Sequence, residues 1–258
     1  NVFQMVFSNP IVGPGILGVS QGAAFDAALA ILTLSSSPLM VELSALLFAF
    51  LGLALSYLIA RKLRYGGWIL RLVLSGIAVS ALFAAGVGMI KYLADPLTQL
   101  PEITFWLLGG LWSVTWQDVL LLLPFVVPGL TIVILMRWRL NLLSLSEATA
   151  FSLGSRTGRE RSLLLIGTVA VVASVTAVGG IIGWVGLIIP HVARRIFGAN
   201  AQRTVPATIL LGGLFLVICD TLARALRPGE IPLGVIASLL GALFFIILMM
   251  TASPKWKP

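Results

Sequence analysis

The chain has 258 residues, 59% hydrophobic and only 10% charged, with a mean hydropathy of +1.07. One soluble core cannot hide that much apolar surface, and its repeated runs of spanning length point to an all-α polytopic membrane protein. The net charge of +8 could suggest nucleic acid, but no soluble basic domain is there to carry it, and the single Cys219 rules out an intrachain disulfide or a cysteine-cluster metal site.

Hydropathy predicts about eight spanning helices, at roughly 16–34, 40–60, 69–93, 118–136, 163–178, 184–197, 205–225 and 234–251. The alternation that marks a membrane β-barrel is absent. No charged segment with a cleavage site opens the chain at Asn1, so no signal peptide is expected there. Asp26 lies inside the first span, where an ionisable residue is a functional suspect. A helix beginning near Ser20 would favour a carboxylate in its first turns, and that local explanation is preferred over proton coupling. Between 93 and 118, "LADPLTQLPEITFWLLGGLWSVTWQD" is amphiphilic and rich in Trp, which suits a re-entrant or interfacial helix.

After the fourth span, "SLSEATAFSLG" reads as a short helix capped by Ser144 or Ser146 and closed by Gly154. By residue pattern alone it could be a mere connector. The spans at 163–178 and 184–197 are short, so one or both are expected to be tilted or broken. Between them, "GGIIGWVGLIIPHVARR" (179–195) is unusual for a membrane segment. Gly179, Gly180, Gly183 and Gly186 are expected to let backbones approach closely, and Pro190 to remove a donor and kink its helix. Helix packing accounts for the glycines but not for the His-Val-Ala-Arg-Arg ending.

Basic residues set the orientation. The loops after 60, 136 and 197 and the C-terminus hold Arg61, Lys62, Arg64, Arg71, Arg137, Arg139, Arg156, Arg159, Arg161, Arg194, Arg195, Arg203, Lys255 and Lys257, fourteen of the seventeen. Only Lys91, Arg224 and Arg227 fall opposite, beside Glu42, Asp95, Glu102, Asp118, Asp220 and Glu230. The positive-inside rule then puts both termini in the cytoplasm.

Catalytic chemistry finds little support. His191 is the only histidine, whereas a zinc or iron centre wants three or four ligands, so no metal site is expected. A serine facing His191 would be needed for nucleophilic chemistry, and no Gly-x-Ser-x-Gly elbow occurs. No Walker loop is present either, so the chain is not expected to hydrolyse ATP itself. A secondary transporter or channel would want paired intramembrane charges, and only Asp26 qualifies.

The stretch "GGIIGWVGLIIPHVARRIFG" closely resembles the signature of the permeases that import iron-siderophores, haem, vitamin B12 and related chelates, the membrane subunits of type II ATP-binding-cassette importers. Four more stretches match in the expected order: "NPIVGPGILGVSQGAA", "FWLLGGLWSVTWQD", "LNLLSLSEATAFSLG" and "CDTLARALRPGEIPLGVIASLLGALFF". The resemblance covers essentially residues 1–258 as a single permease domain and implies the last eight of ten helices, two having preceded "NP". It implies a homodimer in the bacterial inner membrane, two ATPase subunits carrying ATP-Mg, and a soluble substrate-binding protein. No cofactor is implied on this chain.

Carried over position by position, the resemblance makes the loop at about 140–162 the coupling region that seats in the ATPase, with Glu147, Ala148, Ala150, Leu153 and Gly154 matching. Small alanines would seat the helix deeply, and Glu147 and the arginines would set its register by charge. Gly179, Gly180, Gly183, Gly186, Pro190 and His191 would form the bend beside the translocation path, with His191 a packing and hydrogen-bonding residue rather than a ligand. The helix at 69–93 and the last helix would supply the path's other walls. Arg224 matches a position that docks the binding protein, although pairing with Asp220 one turn earlier is an alternative. The cargo would be a metal chelate, with molybdate or tungstate as the alternative.

Overall fold

The computed structural model describes residues 1–33, 38–226 and 231–250, and every regular element among them is helical. A short α1 (Val2–Val6) and a 3-10 turn (Pro14–Leu17) lead into α2 (Val19–Thr33), α3 (Pro38–Lys62), α4 (Trp68–Leu93) and α5 (Gln99–Leu108). Next come α6 (Trp116–Leu135), α7 (Arg137–Leu143), α8 (Glu147–Ser152), α9 (Thr157–Gly179), α10 (Val185–Phe197), α11 (Ala201–Ala225) and α12 (Leu233–Met250).

The helices α3, α4, α6, α9 and α11 are long and apolar enough to cross a membrane, at 20 to 26 residues each. The expected segments therefore divide into these five and three shorter helices, α2, α10 and α12. The span expected at 163–178 is not short. It begins at Thr157, because Glu160 accepts from the Ser155 hydroxyl (2.7 Å) and from the Arg156 N–H (3.4 Å), which organises a polar first turn. Of the two segments expected to be short, α10, with 13 residues, is the one that is. The amphiphilic stretch after 93 contains α5, a helix of 10 residues.

At the centre lies α2, packed on α3, α4, α5 and α9. Between apolar helices in lipid, small residues and hydroxyl bonds do the joining that the hydrophobic effect does in water. The Ser56 hydroxyl on α3 donates to the Leu17 carbonyl (2.9 Å), and the Ser75 hydroxyl on α4 donates to the Ser56 carbonyl (2.7 Å). Asp26 does not sit where the helix dipole could hold it. Its helix starts at Val19, which leaves Asp26 as the eighth residue, beyond the first turn where that field acts. The side chain is only 4% exposed, with the Ser44 hydroxyl beside it and Oδ2 without a hydrogen-bond partner.

The 136–157 and 197–201 connections meet, and the first carries Arg137, Arg139 and Arg156. Asn141 on α7 ties them together, accepting from the Ala201 N–H (2.8 Å) and donating to the Asn200 side chain (3.0 Å). The 93–116 and 179–185 connections lie at the other end of α9. Arg227, Glu230, Lys255 and Lys257 fall outside the described residues.

Candidate functional site

Where α9 ends, three stretches of backbone meet. Gly180 has φ +67°, and a Cβ there would strike the Trp106 carbonyl oxygen at the end of α5. A Cβ on Gly109, at φ +69°, would sit 2.6 Å from the Ile181 carbonyl oxygen, and one on Gly234 would strike that of Leu108. Backbone bonds close the junction: the Gly110 N–H donates to Gly179 (2.9 Å) and the Gly234 N–H to Gly109 (3.2 Å). The end of α5, the turn after α9 and the start of α12 are thus fused where only glycine fits.

This corrects the expectation that all four bend glycines serve close approach. A Cβ on Gly179 would make ordinary contact, 3.5 Å from Leu111. One on Gly183 would come no nearer than 3.7 Å to the Ser238 hydroxyl, and one on Gly186 would meet nothing within 4 Å. The strained residue is Trp184, at φ +67° immediately before α10, a conformation that costs a bulky side chain on the order of 1–3 kcal/mol. Its Cβ would lie 2.8 Å from a Cβ on Gly241, so α12 passes close beneath it, and its ring meets Phe245 at 6.1 Å.

Within α10, Pro190 lacks the N–H that would pair with the Gly186 carbonyl four residues earlier. Gln4 supplies the missing donor, its Nε2 bonding that carbonyl at 3.2 Å. Arg194 in turn donates to Gln4 Oε1 (2.7 Å) and reaches Asn1 Oδ1 (3.4 Å). His191 is half-buried on the same helix. The His-Val-Ala-Arg-Arg ending therefore brings at least one arginine to an internal partner.

The α7–α8 turn is built differently. Ser146 caps α8, accepting from the Thr149 N–H (3.3 Å), and Gly154 closes it at φ +79°. Arg139 pairs with Glu160 at 3.5 Å, so Glu160 sets the register of the loop within this chain. Ala148 is exposed, but Ala150 is fully buried against its own chain and cannot seat in a partner, contrary to expectation. Phe151, 75% exposed, stands out with Leu145 and Leu153. Three large apolar side chains are thus exposed within nine residues of chain. The Glu147 side chain lies outside what is described.

On the opposite face, Arg224 donates from Nε to Asp220 Oδ2 at 2.8 Å and from Nη2 to the Leu111 carbonyl at 3.3 Å. The internal pair is thus present. Nearby, a cavity of about 730 Å³ is lined by Glu42, Gln99, Glu102, Phe105, Trp106 and Trp112 among others. Among the described residues, no three His, Cys, Asp or Glu side chains converge as metal ligands.

A comparison with protein families matches residues 1–251 to the FecCD transport family. The chain belongs to that family. Similar curated members include the molybdate import permease MolB of Haemophilus influenzae, 40% identical over 96% of this chain and 73% of its own length. A probable iron chelatin permease of Helicobacter pylori is also 40% identical, over 96% of this chain and 74% of its own. A solved structure in an inward-facing conformation, of a transporter assigned to the metal-chelate ABC type, superposes with a TM-score of 0.90. It is 38% identical, over 97% of this chain and 80% of that one. The chain is thus a multi-pass membrane permease homologous to subunits of ABC transporters.

Against the family signature, the structure joins Gly179, Gly180, Pro190 and Gly186 with residues that the motif reading passed over. Gln4, Gly109, Gly234 and Trp184 contribute at the bend, while Phe151 and Glu160, also passed over, belong to the separate α7–α8 turn. Gln4 alone had a legible signal, an amide inside the apolar "NVFQMVF". The partners of the other bend residues lie far away in the chain, whereas Glu160 meets Ser155 and Arg156 within five residues of itself.

Proposed function

We propose that this chain is the translocating subunit of an ATP-driven importer for a metal chelate. It works as a homodimer, with two ATPase subunits on the arginine-rich face and one substrate-binding protein on the other. The observation that carries the reading is the match of 1–251 to a transport family whose similar members include a probable iron chelatin permease. The capped α8, with Phe151 and Leu153 exposed, supports it as the coupling helix. Glu147 then adds charge at the docking surface and Ala148 a small contact, while Ala150 and Gly154 hold the turn's shape.

ATP-Mg belongs to the ATPase subunits. Their closure moves the coupling helices, and the path between two copies of this chain changes the side to which it opens. The α9–α10 bend, α4 and α12 supply the path's walls. Arg224, whose ion pair with Asp220 is exposed and worth only a few tenths of a kcal/mol, can be shared with a carboxylate of the binding protein. Fourteen of the seventeen basic residues support a cytoplasmic position for the α7–α8 face and both termini.

A specific observation favours a second cargo. The molybdate permease is as similar, at 40%, as the iron chelatin one. Uptake into liposomes carrying the full-length complex and its binding protein decides between them. ATP-dependent entry of a ferric chelate, not displaced by excess molybdate, is expected, and the reverse ranking installs molybdate. Orientation is tested in a Cys219→Ser background with Tyr92→Cys or Leu153→Cys and an impermeant maleimide on spheroplasts. Tyr92→Cys should label and Leu153→Cys should not.

A further inference from the structure

We infer that Gln4 is a positioning residue that holds α10 across its proline and joins it to the helices around the α7–α8 turn. The amide is 4% exposed and uses both ends on one helix. Its nitrogen pairs the Gly186 carbonyl that Pro190 leaves open, and its oxygen takes Arg194, two turns further on. One side chain thereby clamps α10 on both sides of Pro190.

The clamp leads toward the basic face. Helix α1, which carries Gln4, packs on α7 and α9, and α7 runs directly into α8. Asn1 extends the link to α11, donating to the Thr204 and Thr208 hydroxyls at 3.2 and 3.3 Å. On the other flank of α7, Asn141 binds the first residues of α11. Displacement of α7 is therefore passed to α1 by packing and from α1 to α10 through the part-buried bonds of Gln4, whose loss would leave polar atoms unpaired. Two packed arrangements of such a network can bias the bend without any contact to cargo. This assignment rests on the importer reading for its purpose, though not for its geometry.

Two readouts keep these apart. Hydrogen exchange on the full-length permease alone tests the clamp. In Gln4→Met, which keeps the volume and removes both bonds, amides of 186–194 should exchange at least about fivefold faster, while those of α8 stay unchanged. Unaltered exchange in α10 overturns the assignment. The complete complex in liposomes tests the transmission. Gln4→Met should hydrolyse ATP within about twofold of wild type yet import about fivefold less cargo per ATP. Gln4→Glu, which keeps the acceptor for Arg194 but sets a carboxylate oxygen against the Gly186 carbonyl in place of the N–H donor, should lose uptake per ATP to about the same extent. Unchanged uptake per ATP in Gln4→Met overturns the transmission. Should Gln4→Met fail to assemble, Gln4→Glu decides by the same limits. A wild-type complex that shows no ATP hydrolysis in response to loaded binding protein removes the importer reading instead, and leaves the exchange result standing.

Discussion

The α7–α8 turn and the α9–α10 bend both interrupt the run of spanning helices, and they are held in opposite ways. The turn is specified within some fifteen residues: Ser146 caps it, Gly154 reverses the chain and Glu160 closes it from the next helix. The bend depends on residues from the whole chain, with Gly109 and Gly234 pressed against it and Gln4 reaching across from position 4. A locally closed element can present a surface to a partner and move as a body. An element fastened to four others can respond when they shift. In the proposed importer, this is the division of labour that coupling requires.

The sharpest way to break the comparison is Gly180→Val. A left-handed φ and the collision with the Trp106 carbonyl together should cost roughly 3 kcal/mol, with a large drop in thermal stability measured in detergent. Gly186→Ala, with open space around it, should change stability by no more than about 1 kcal/mol in the stabilising direction. Equal losses from both substitutions would mean that the bend is not pinned at Gly180. On the turn, Phe151→Ser should leave the permease's own melting unchanged but weaken ATPase attachment about tenfold, as loss of an aromatic anchor does. Normal recovery of the complex would show that the exposed ring is not a docking residue.

Ser146→Ala removes the α8 cap and should cost about 1 kcal/mol locally, seen as faster hydrogen exchange at Thr149 and Ala150 with no change at α10. The smallest effect belongs to the opposite face. Asp95 accepts from the N–H groups of Leu97 and Thr98 (both 2.9 Å) and from the Thr98 hydroxyl, which hold its carboxyl below the usual carboxylate range. A depressed folded value means that its contribution is complete above the ordinary carboxylate pKa and disappears as pH falls through the folded one. Local exchange around Thr98 should therefore rise only in acid, and Asp95→Asn should remove that dependence. A dependence that survives the substitution would assign it elsewhere.

Composition was enough to determine the class, because no soluble core can bury this much apolar surface, and hydropathy placed the five helices long and apolar enough to cross a membrane among its eight expected segments. The cap and closing glycine of α8 were legible for a similar reason: each acts on backbone groups within a few residues of itself. Sequence could count Pro190 as a lost donor, but it could not name Gln4 as the replacement 182 residues away. It marked Gly179, Gly180, Gly183 and Gly186 alike, and only the packed chain separated Gly180, where a Cβ would strike backbone, from Gly186, where a Cβ would meet nothing within 4 Å. Nor could it tell that Ala150 faces inward and Phe151 outward. Periodicity and caps are properties of a segment. Collisions, freed carbonyls and buried faces exist only between segments, and folding alone brings those together.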